Sequence, residues 1–288
     1  MYIVGFDAKS ITQNAITLAP ETSLMDARNT MIKYNISRVV VAKGGKPVGI
    51  ITEKDIARFL YSEVPSRRLS ETALSEIMSI DLITVDEDSD QRKCAKAMLQ
   101  KGVSSLVVVN AKNRLKGILT KSDLIHGYVE NFAGEHLVKA FMTRKVLTVA
   151  PDEPVHMAIM LINGNEISRV VVVNTKRQPV GIITTHDLLP FSSLFGTGTA
   201  DSYWPPRKDV IAKKRKQSFI PSGIKAAFMA SDIMTSNPIV IRENADLADA
   251  GYIMLRNRIS GLPVVGSNGK LKGIITKTDI VKALASHA

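Results

Sequence analysis

The apolar positions of the chain fall into four similar blocks, each containing two kinds of pattern. One is a short run of β-branched residues, such as Val39–Val41, which is typical of a buried strand. The other is helical spacing, as in Leu24, Ala27 and Met31, which predicts an amphipathic helix over residues 24–34. Each block therefore predicts the order strand, helix, strand, strand, helix.

A short motif, Gly-Ile-x-Thr-x-x-Asp, recurs in every block where a strand passes into a helix. A Ser that opens an apolar run precedes each motif Gly by 12 or 13 residues. This constancy indicates a repeated backbone and not merely a shared composition. The motifs begin at Gly49, Gly117, Gly181 and Gly273, and the matching serines are Ser37, Ser104, Ser168 and Ser260.

The segments before the blocks differ. Met78–Ser79, Met142–Thr143 and Met234–Thr235 precede the second, third and fourth blocks at similar distances. We expect the first block to lack this lead-in segment, and we expect residues 1–14 to pair with the first sheet. The connection over about residues 190–228 is unusually long, and loops of that length are usually functional or disordered.

The Thr and Asp of each motif have two compatible interpretations. Thr before a helix with an acid three residues later is a capping arrangement, which satisfies free N–H groups without any ligand. The same edge offers amide donors, the positive end of a helix dipole, hydroxyls and one carboxylate, which suit a nucleoside phosphate. The spacing alone does not choose between these interpretations.

Composition narrows the function classes. The 288 residues are 45% apolar, without the run of about 18 apolar residues that a membrane helix needs. The N-terminus lacks the pattern of a signal peptide. A single cysteine, Cys94, fits a reducing cytoplasm and excludes a cysteine-rich metal site. The net charge of +11 favours an anionic partner: a nucleotide, nucleic acid or acidic protein surface.

The element order, the Ser-led strand Ser260–Val265 and the fourfold motif together resemble the CBS (cystathionine-β-synthase) domain family. The resemblance covers nearly the whole chain except about residues 190–228. It implies an α/β (α+β) fold of four tandem CBS units that pack sheet to sheet as two Bateman modules, unit one with two and unit three with four. Tandems of four resemble the γ subunit of AMP-activated protein kinase and stand-alone archaeal regulatory proteins. The expected units are residues 1–66, 67–131, 132–194 and 229–288, with an insert over 195–228.

The resemblance also implies a ligand, an adenine nucleotide (AMP, ADP or ATP), with S-adenosylmethionine as an open alternative. Family members use the motif Asp for ribose, which here names Asp55, Asp123, Asp187 and Asp279. They use nearby hydroxyls for phosphate, which names Thr52, Thr120, Thr184 and Thr276, with Ser122 and Thr278 as helpers. The base lies near the first strand, which implicates Thr17, Thr84 and Thr148, whereas Val240 offers no polar contact in the fourth unit.

Basic residues near the motifs extend this prediction. Arg38 and Arg169 follow the Ser in units one and three, where units two and four carry Ser105 and Gly261. A basic residue at this place can reach phosphate in the kinase γ subunit that the chain resembles, and we therefore expect both arginines to clamp phosphates by charge-assisted hydrogen bonds. The alternative is that they are solvated strand ends. His186 is a further candidate for a phosphate contact, although a lone His is more often a surface residue.

The insert carries a run of positive charge within residues 207–216, next to Trp204. One interpretation is nucleic-acid contact through Lys213, Lys214, Arg215 and Lys216. The other, which we favour, is a solvated loop that docks on an acidic partner.

The leading hypothesis is therefore a cytoplasmic, non-enzymatic sensor that needs no cofactor or metal and signals nucleotide occupancy to a regulated protein or through dimerisation. A nucleic-acid-binding protein that uses the CBS units as regulator or scaffold is the second hypothesis. A structural interaction module with degenerate clefts is the third. An enzyme ranks last, because no phosphate-binding loop, dinucleotide fingerprint or metal-ligand spacing is present.

Overall fold

The structure is a computed structural model that describes residues 8–60, 68–165, 167–188 and 228–286. It contains four units of the predicted order. In unit one the elements are β1 (Thr17–Leu18), α2 (Leu24–Tyr34), β2 (Arg38–Lys43), β3 (Lys46–Thr52) and α3 (Glu53–Leu60). The short helix α1 (Ala8–Ile11) precedes them.

The other units repeat this order. Unit two has β4 (Thr84–Asp86), α5 (Gln91–Gln100), β5 (Ser105–Val109), β6 (Leu115–Thr120) and α6 (Lys121–Asn131), after a 3-10 turn (Leu69–Glu71) and α4 (Leu74–Ile77). Unit three has α7 (Val138–Phe141), β7 (Thr148–Val149), α8 (Val155–Gly164), β8 (Arg169–Val173), β9 (Pro179–Thr184) and α9 (Thr185–Leu188). Unit four has α10 (Ala230–Ile233), β10 (Thr235–Ser236), β11 (Ile241–Arg242), α11 (Leu247–Arg256), β12 (Gly261–Val265), β13 (Leu271–Thr276) and α12 (Lys277–Ser286).

The backbone repeat extends to the strand register. In every unit the first strand runs parallel to the second, and the second is antiparallel to the third. The residue after the Ser always faces the motif Thr, as Arg38 faces Thr52 and Arg169 faces Thr184. This pairing explains the constant spacing between Ser and Gly, since one hairpin fixes both positions.

Each unit extends its sheet with backbone from the unit paired with it. Ser79 exchanges two backbone hydrogen bonds with Ile50 of unit one, and Thr143 does the same with Ile274 of unit four. Strand β10, which begins at Thr235, pairs with β9 of unit three. The Met-led segments therefore bridge paired units.

Two expectations about the N-terminal segment are wrong. Gln13 exchanges two backbone hydrogen bonds with Ile118, so this segment pairs with the second sheet and not the first. Unit one also has a lead-in segment: α1 followed by Thr12 occupies the place of α4 followed by Met78. The sequence concealed it because Thr12 replaces the Met, whereas the buried residue four positions earlier, Ala8, is retained.

The exchange of backbone between paired units explains why the motif requires a glycine. A Cβ on Gly49 or Gly181 would collide with the sulfur of Met78 or Met234 from the paired unit. The same atom on Gly117 would collide with Thr12 and with the backbone carbonyl of Gln13. Glycine is therefore required by close approach of another segment and not by an unusual backbone angle.

The pairing of unit one with two and of unit three with four is confirmed. Val40 of β2 packs with Val107 and Val109 of β5 in an apolar cluster between the first two sheets. In the second pair, the Arg169 side chain of unit three lies against Gly261 of unit four. These contacts join one sheet to the other within each pair.

The two modules meet through helices of units two and four. Helix α6 packs on α11 and α12, and α5 packs on α12. Gly251 on α11 lets the backbone approach Ile125 and Val129 of α6 closely. Buried residues of both units form one continuous apolar cluster at this interface, including Leu124, Tyr128, Met254 and Leu284.

Within the described ranges, every helix is too short or too polar to cross a bilayer.

We predict that Gly117→Ala lowers the free energy of unfolding by about 1–3 kcal/mol, because the added methyl group meets a backbone oxygen that cannot rotate away. Chemical denaturation would measure the loss. Gly164→Ala is the matched control, since a Cβ there meets nothing within 4 Å and alanine favours the helix. Equal stability of Gly117→Ala and the wild-type chain would contradict the close approach.

We also predict that the Cys94 thiol is inert in the native chain. Cys94 is fully buried on α5, and burial, reinforced by Asp90, raises the pKa of its thiol to about 11. Only about 10⁻⁴ of the thiol is therefore thiolate at pH 7. Labelling with a thiol reagent should require denaturant, whereas Ala111→Cys, on an exposed turn, should label at once. Rapid labelling of native Cys94 would mean that the module interface opens freely.

Candidate functional site

The motif Asp and Thr form the same hydrogen bonds in all four units. In unit one, the amide and the hydroxyl of Thr52 donate to Asp55 Oδ2 over 2.9 and 2.6 Å. In unit three the corresponding bonds from Thr184 to Asp187 measure 2.8 and 2.7 Å. Units two and four repeat them between Thr120 and Asp123 and between Thr276 and Asp279. The capping interpretation is therefore confirmed, and it commits one oxygen of each carboxylate.

The second carboxylate oxygen has different surroundings in different units. Asp279, which is buried, accepts a 2.9 Å hydrogen bond from Lys282 through Oδ1. Burial raises the pKa of the Asp123 carboxyl, and hydrogen bonds from Thr120 and the Gln13 side chain oppose that shift. Among the described residues, Asp187 has no partner beyond Thr184. The four edges are thus alike in backbone and unlike in electrostatics.

Arg38 and Arg169 reach across their module to the Ser of the paired unit. Arg38 donates to Ser104 over 3.1 Å, and Arg169 donates to Ser260 over 2.8 Å. Burial lowers the pKa of both guanidinium groups, to about 10 for Arg169. Gly261 is small where Arg169 crosses, and Ser105 has the corresponding position in unit two.

Two lysines that sequence reasoning missed lie at the junction of the modules. Lys121 donates to Thr278 Oγ1 over 2.9 Å, and Lys277 donates to Ser122 Oγ over 2.6 Å. The two predicted phosphate helpers are therefore partners of lysines from the opposite module. A usable signal existed: units two and four have Lys directly after the motif Thr, where unit one has Glu53 and unit three has Thr185.

These cations share one electrostatic environment. Burial lowers the pKa of Lys121, and nearby Arg38 lowers it further. Burial also lowers the pKa of Lys277, assisted by Arg169 and Arg38 and opposed by Asp123. Basic residues from all four units thus converge at the centre of the assembly, where an anion would be stabilised.

The remaining predicted residues are not brought into this cluster by any described contact. Thr17, Thr84 and Thr148 lie on the first strands β1, β4 and β7, where Thr17 and Thr84 are exposed. Their role beside the base stays a prediction. The His186 side chain and the basic residues Lys213, Lys214, Arg215 and Lys216 lie outside the described residues, so those interpretations also stay predictions.

In the described part of the chain, no group of three or more His, Cys, Asp or Glu side chains is placed to hold a metal ion.

Comparisons with known proteins agree on one family. The sequence profile of the CBS domain matches residues 8–62, 74–130, 138–193 and 230–286. The uncharacterised protein MJ1225 of Methanocaldococcus jannaschii is 29% identical, over 96% of this chain and 98% of its own length. Protein MJ1404 of the same organism is 26% identical over 96% of this chain, which spans 61% of MJ1404.

Solved structures share the architecture over nearly the whole chain. The crystal structure of MJ1225, described as a candidate archaeal homologue of γ-AMPK, matches with a TM-score of 0.76 and 27% identity. That match covers 97% of this chain and all of MJ1225. A conserved protein of Pyrococcus horikoshii, 22% identical, has the same fold with a TM-score of 0.65 over 97% of this chain and 100% of its own. The chain therefore belongs to the CBS domain family, as four CBS units that pair into two Bateman modules.

Proposed function

We propose that this protein is a non-catalytic cytoplasmic regulator that binds adenine nucleotides in the clefts between paired CBS units. The ribose hydroxyls would donate to the motif Asp through Oδ1, the oxygen that the cap does not use, and the phosphates would lie toward the motif Thr and the central basic residues. The observation that carries the proposal is the convergence of basic residues from all four units with two of the helix-capping carboxylates, Asp123 and Asp279.

The geometry of each edge supports ribose binding beside a capped helix. Oδ2 of the motif Asp is committed to the cap, which fixes the carboxylate and leaves Oδ1 directed elsewhere. Asp187 has this arrangement without a competing partner in the described region. A rigid acceptor of this kind suits a pair of neighbouring hydroxyls, since little side-chain freedom is lost on binding.

The central charge favours a phosphate-bearing ligand over S-adenosylmethionine. Arg38, Arg169, Lys121 and Lys277 would attract phosphate oxygens and would repel the sulfonium of S-adenosylmethionine. The similarity to MJ1225, whose description relates it to γ-AMPK, supports a regulatory role.

Regulation follows if the nucleotide prefers one arrangement of the units. A ligand between paired units contacts both, and the arginines already cross from one to the other. Binding would therefore shift the population of pairings and alter the surface offered to a partner. The partner is a regulated protein or a second copy of this chain.

We predict that Asp187→Asn weakens AMP binding about tenfold or more, because the amide keeps an acceptor for the Thr184 cap while replacing the ribose acceptor with a donor. The same change at Asp55, Asp123, Asp187 and Asp279 together should abolish binding of AMP, ADP and ATP. Isothermal titration of nucleotide-stripped protein measures both effects.

Asp90→Asn is the matched control for these variants. Asp90 also caps a helix with its carboxylate, that of α5, but it lies outside the four motifs. The Asp90→Asn variant should lose about as much stability as a single motif Asp variant, and it should keep the nucleotide affinity of the wild-type chain. If the fourfold variant is folded and binds nucleotides like the wild-type chain, the ribose assignment is wrong.

The variant Arg169→Met tests binding of the nucleotide phosphate separately from binding of the ribose. We expect AMP affinity to fall about tenfold, because a desolvated charge-assisted contact is lost, while adenosine affinity stays within twofold. Arg256→Met, at the exposed end of α11, removes the same charge away from the clefts and should change neither affinity. If the ratio of AMP affinity to adenosine affinity is unchanged in Arg169→Met, Arg169 does not contact the phosphate.

A further inference from the structure

The outward face of α8 in unit three carries a row of exposed methionines. Met157 and Met160 lie three residues apart, so they share one side of the helix, and they are 37% and 41% exposed. Met229 pairs with Pro154, the residue before the helix, and is 40% exposed. Two further backbone hydrogen bonds hold this segment against the start of α8. Met157, Met160 and Met229 therefore form one surface, which we call the Met face.

The fold of a unit does not require methionine at these places. The matching helix positions are exposed in every unit, and they hold Asp26 and Asn29 in α2, Lys93 and Lys96 in α5, and Asp249 and Tyr252 in α11. The residue that matches Met229 is Ala73 beside unit one and Leu137 beside unit four. Single exposed apolar residues are ordinary on protein surfaces, whereas a contiguous group marks an interaction site. Unit three is apolar at all three places, so these side chains serve something other than the fold of the unit.

The charged residues in the segments that build the Met face are acidic. Asp152 and Glu153 precede α8, and Asp232 accepts a 2.7 Å hydrogen bond from the Met229 amide. Residues 149–165 and 228–240 contain these three acids and no Lys or Arg. The chain as a whole has a net charge of +11, so these segments differ in sign from the rest. The combination favours a partner with an apolar centre and a positive border.

The form of the Met face fits a helix as its partner. Side chains three residues apart make a ridge along α8, and such ridges pack into the grooves of a second helix. Methionine is unbranched and polarisable, so it adapts to apolar side chains of different shapes. An anionic membrane surface and a nucleic acid are both disfavoured, because the three acids would be repelled by their phosphates.

We propose that the Met face docks an amphipathic helix of a partner protein. The apolar stripe of that helix contacts the three methionines, and Lys or Arg along its margins contacts Asp152 and Asp232. The docking surface includes none of the residues assigned to nucleotide binding, so it stands without the proposed function. Only its regulation rests on that function: α8 packs on β8, the strand that begins at Arg169, and a change in the pairing of units would reach the docked helix through this strand.

A synthetic helical peptide with a stripe of Leu and with Lys at both margins is the probe, labelled with fluorescein for anisotropy. We expect the wild-type chain to bind this Lys peptide with a Kd of about 10 μM or lower. The triple variant Met157→Ser, Met160→Ser and Met229→Ser should bind it about tenfold or more weakly, because the apolar contact is lost. Since these side chains are exposed, the variant should keep the thermal midpoint of the wild-type chain.

The matched control is Leu137→Ser with Tyr252→Ser. These substitutions remove exposed apolar side chains from the corresponding place beside unit four, and they should leave the affinity for the Lys peptide unchanged. If the wild-type chain does not bind the Lys peptide, or if the triple variant binds it as tightly as the wild-type chain does, the proposal is overturned.

A second peptide, with the same Leu stripe and with Glu at its margins, tests the charge of the partner. The net charge of +11 would by itself favour this Glu peptide, so a preference for the Lys peptide reports the local acids. We expect the Glu peptide to bind the wild-type chain about tenfold or more weakly than the Lys peptide. The variant Asp152→Lys, at an exposed position, should narrow that difference. Equal binding of the two peptides would show that the basic border of the partner is wrong.

Mild peroxide oxidation, followed by mass spectrometry, tests whether the Met face is open in the chain alone. Its three methionines should oxidise well before Met254, which is fully buried, and the Lys peptide should protect them. If they are already protected in the absence of peptide, the chain covers this surface itself and the proposal is overturned.

Sedimentation equilibrium tests a second copy of the chain as the occupant. We expect the wild-type chain and the triple methionine variant to have the same oligomeric state. A wild-type chain that dimerises, together with a triple variant that stays monomeric, would assign the Met face to a second copy in place of a partner helix.

Discussion

The exchange of backbone between paired units is the constraint on which the rest of the structure depends. Ser79 joins the sheet of unit one, Gln13 joins that of unit two, Thr143 joins that of unit four, and Thr235 joins that of unit three. Because each exchanged segment lies against the motif glycine, it fixes the distance between the two sheets of a pair. That distance in turn lets Arg38 and Arg169 reach the serine of the neighbouring unit.

The polar groups at the centre differ in how far the fold itself satisfies them. The capping bonds of the four motifs are complete without any ligand, so the helix starts need no further partner. The central lysines and arginines are different, because burial lowers the pKa values of all four groups and nearby cations lower those of Lys121 and Lys277 further. A protein that keeps such charges close together gives up stability, and binding of an anion would return it.

Local features of this fold could be predicted from the sequence, and long-range contacts could not. Helix α2 covers residues 24–34 as predicted, because apolar spacing and the Ser23 cap both act within a few residues. The contact between Lys121 and Thr278 joins positions 157 residues apart, and no periodic pattern encodes it. The lead-in of unit one was missed for a related reason: its role depends on a glycine of another unit, which a scan of its own residues does not reveal.

The glycine in each motif has a consequence for how this architecture can be divided. A single unit cut from the chain would keep its hairpin and helices but would lose the foreign backbone that closes one side of its sheet. Its sheet would have an edge of unpaired amide and carbonyl groups next to the motif glycine. Such an edge could pair with the same segment of another molecule. The pair is therefore the smallest part of this protein in which every sheet is complete.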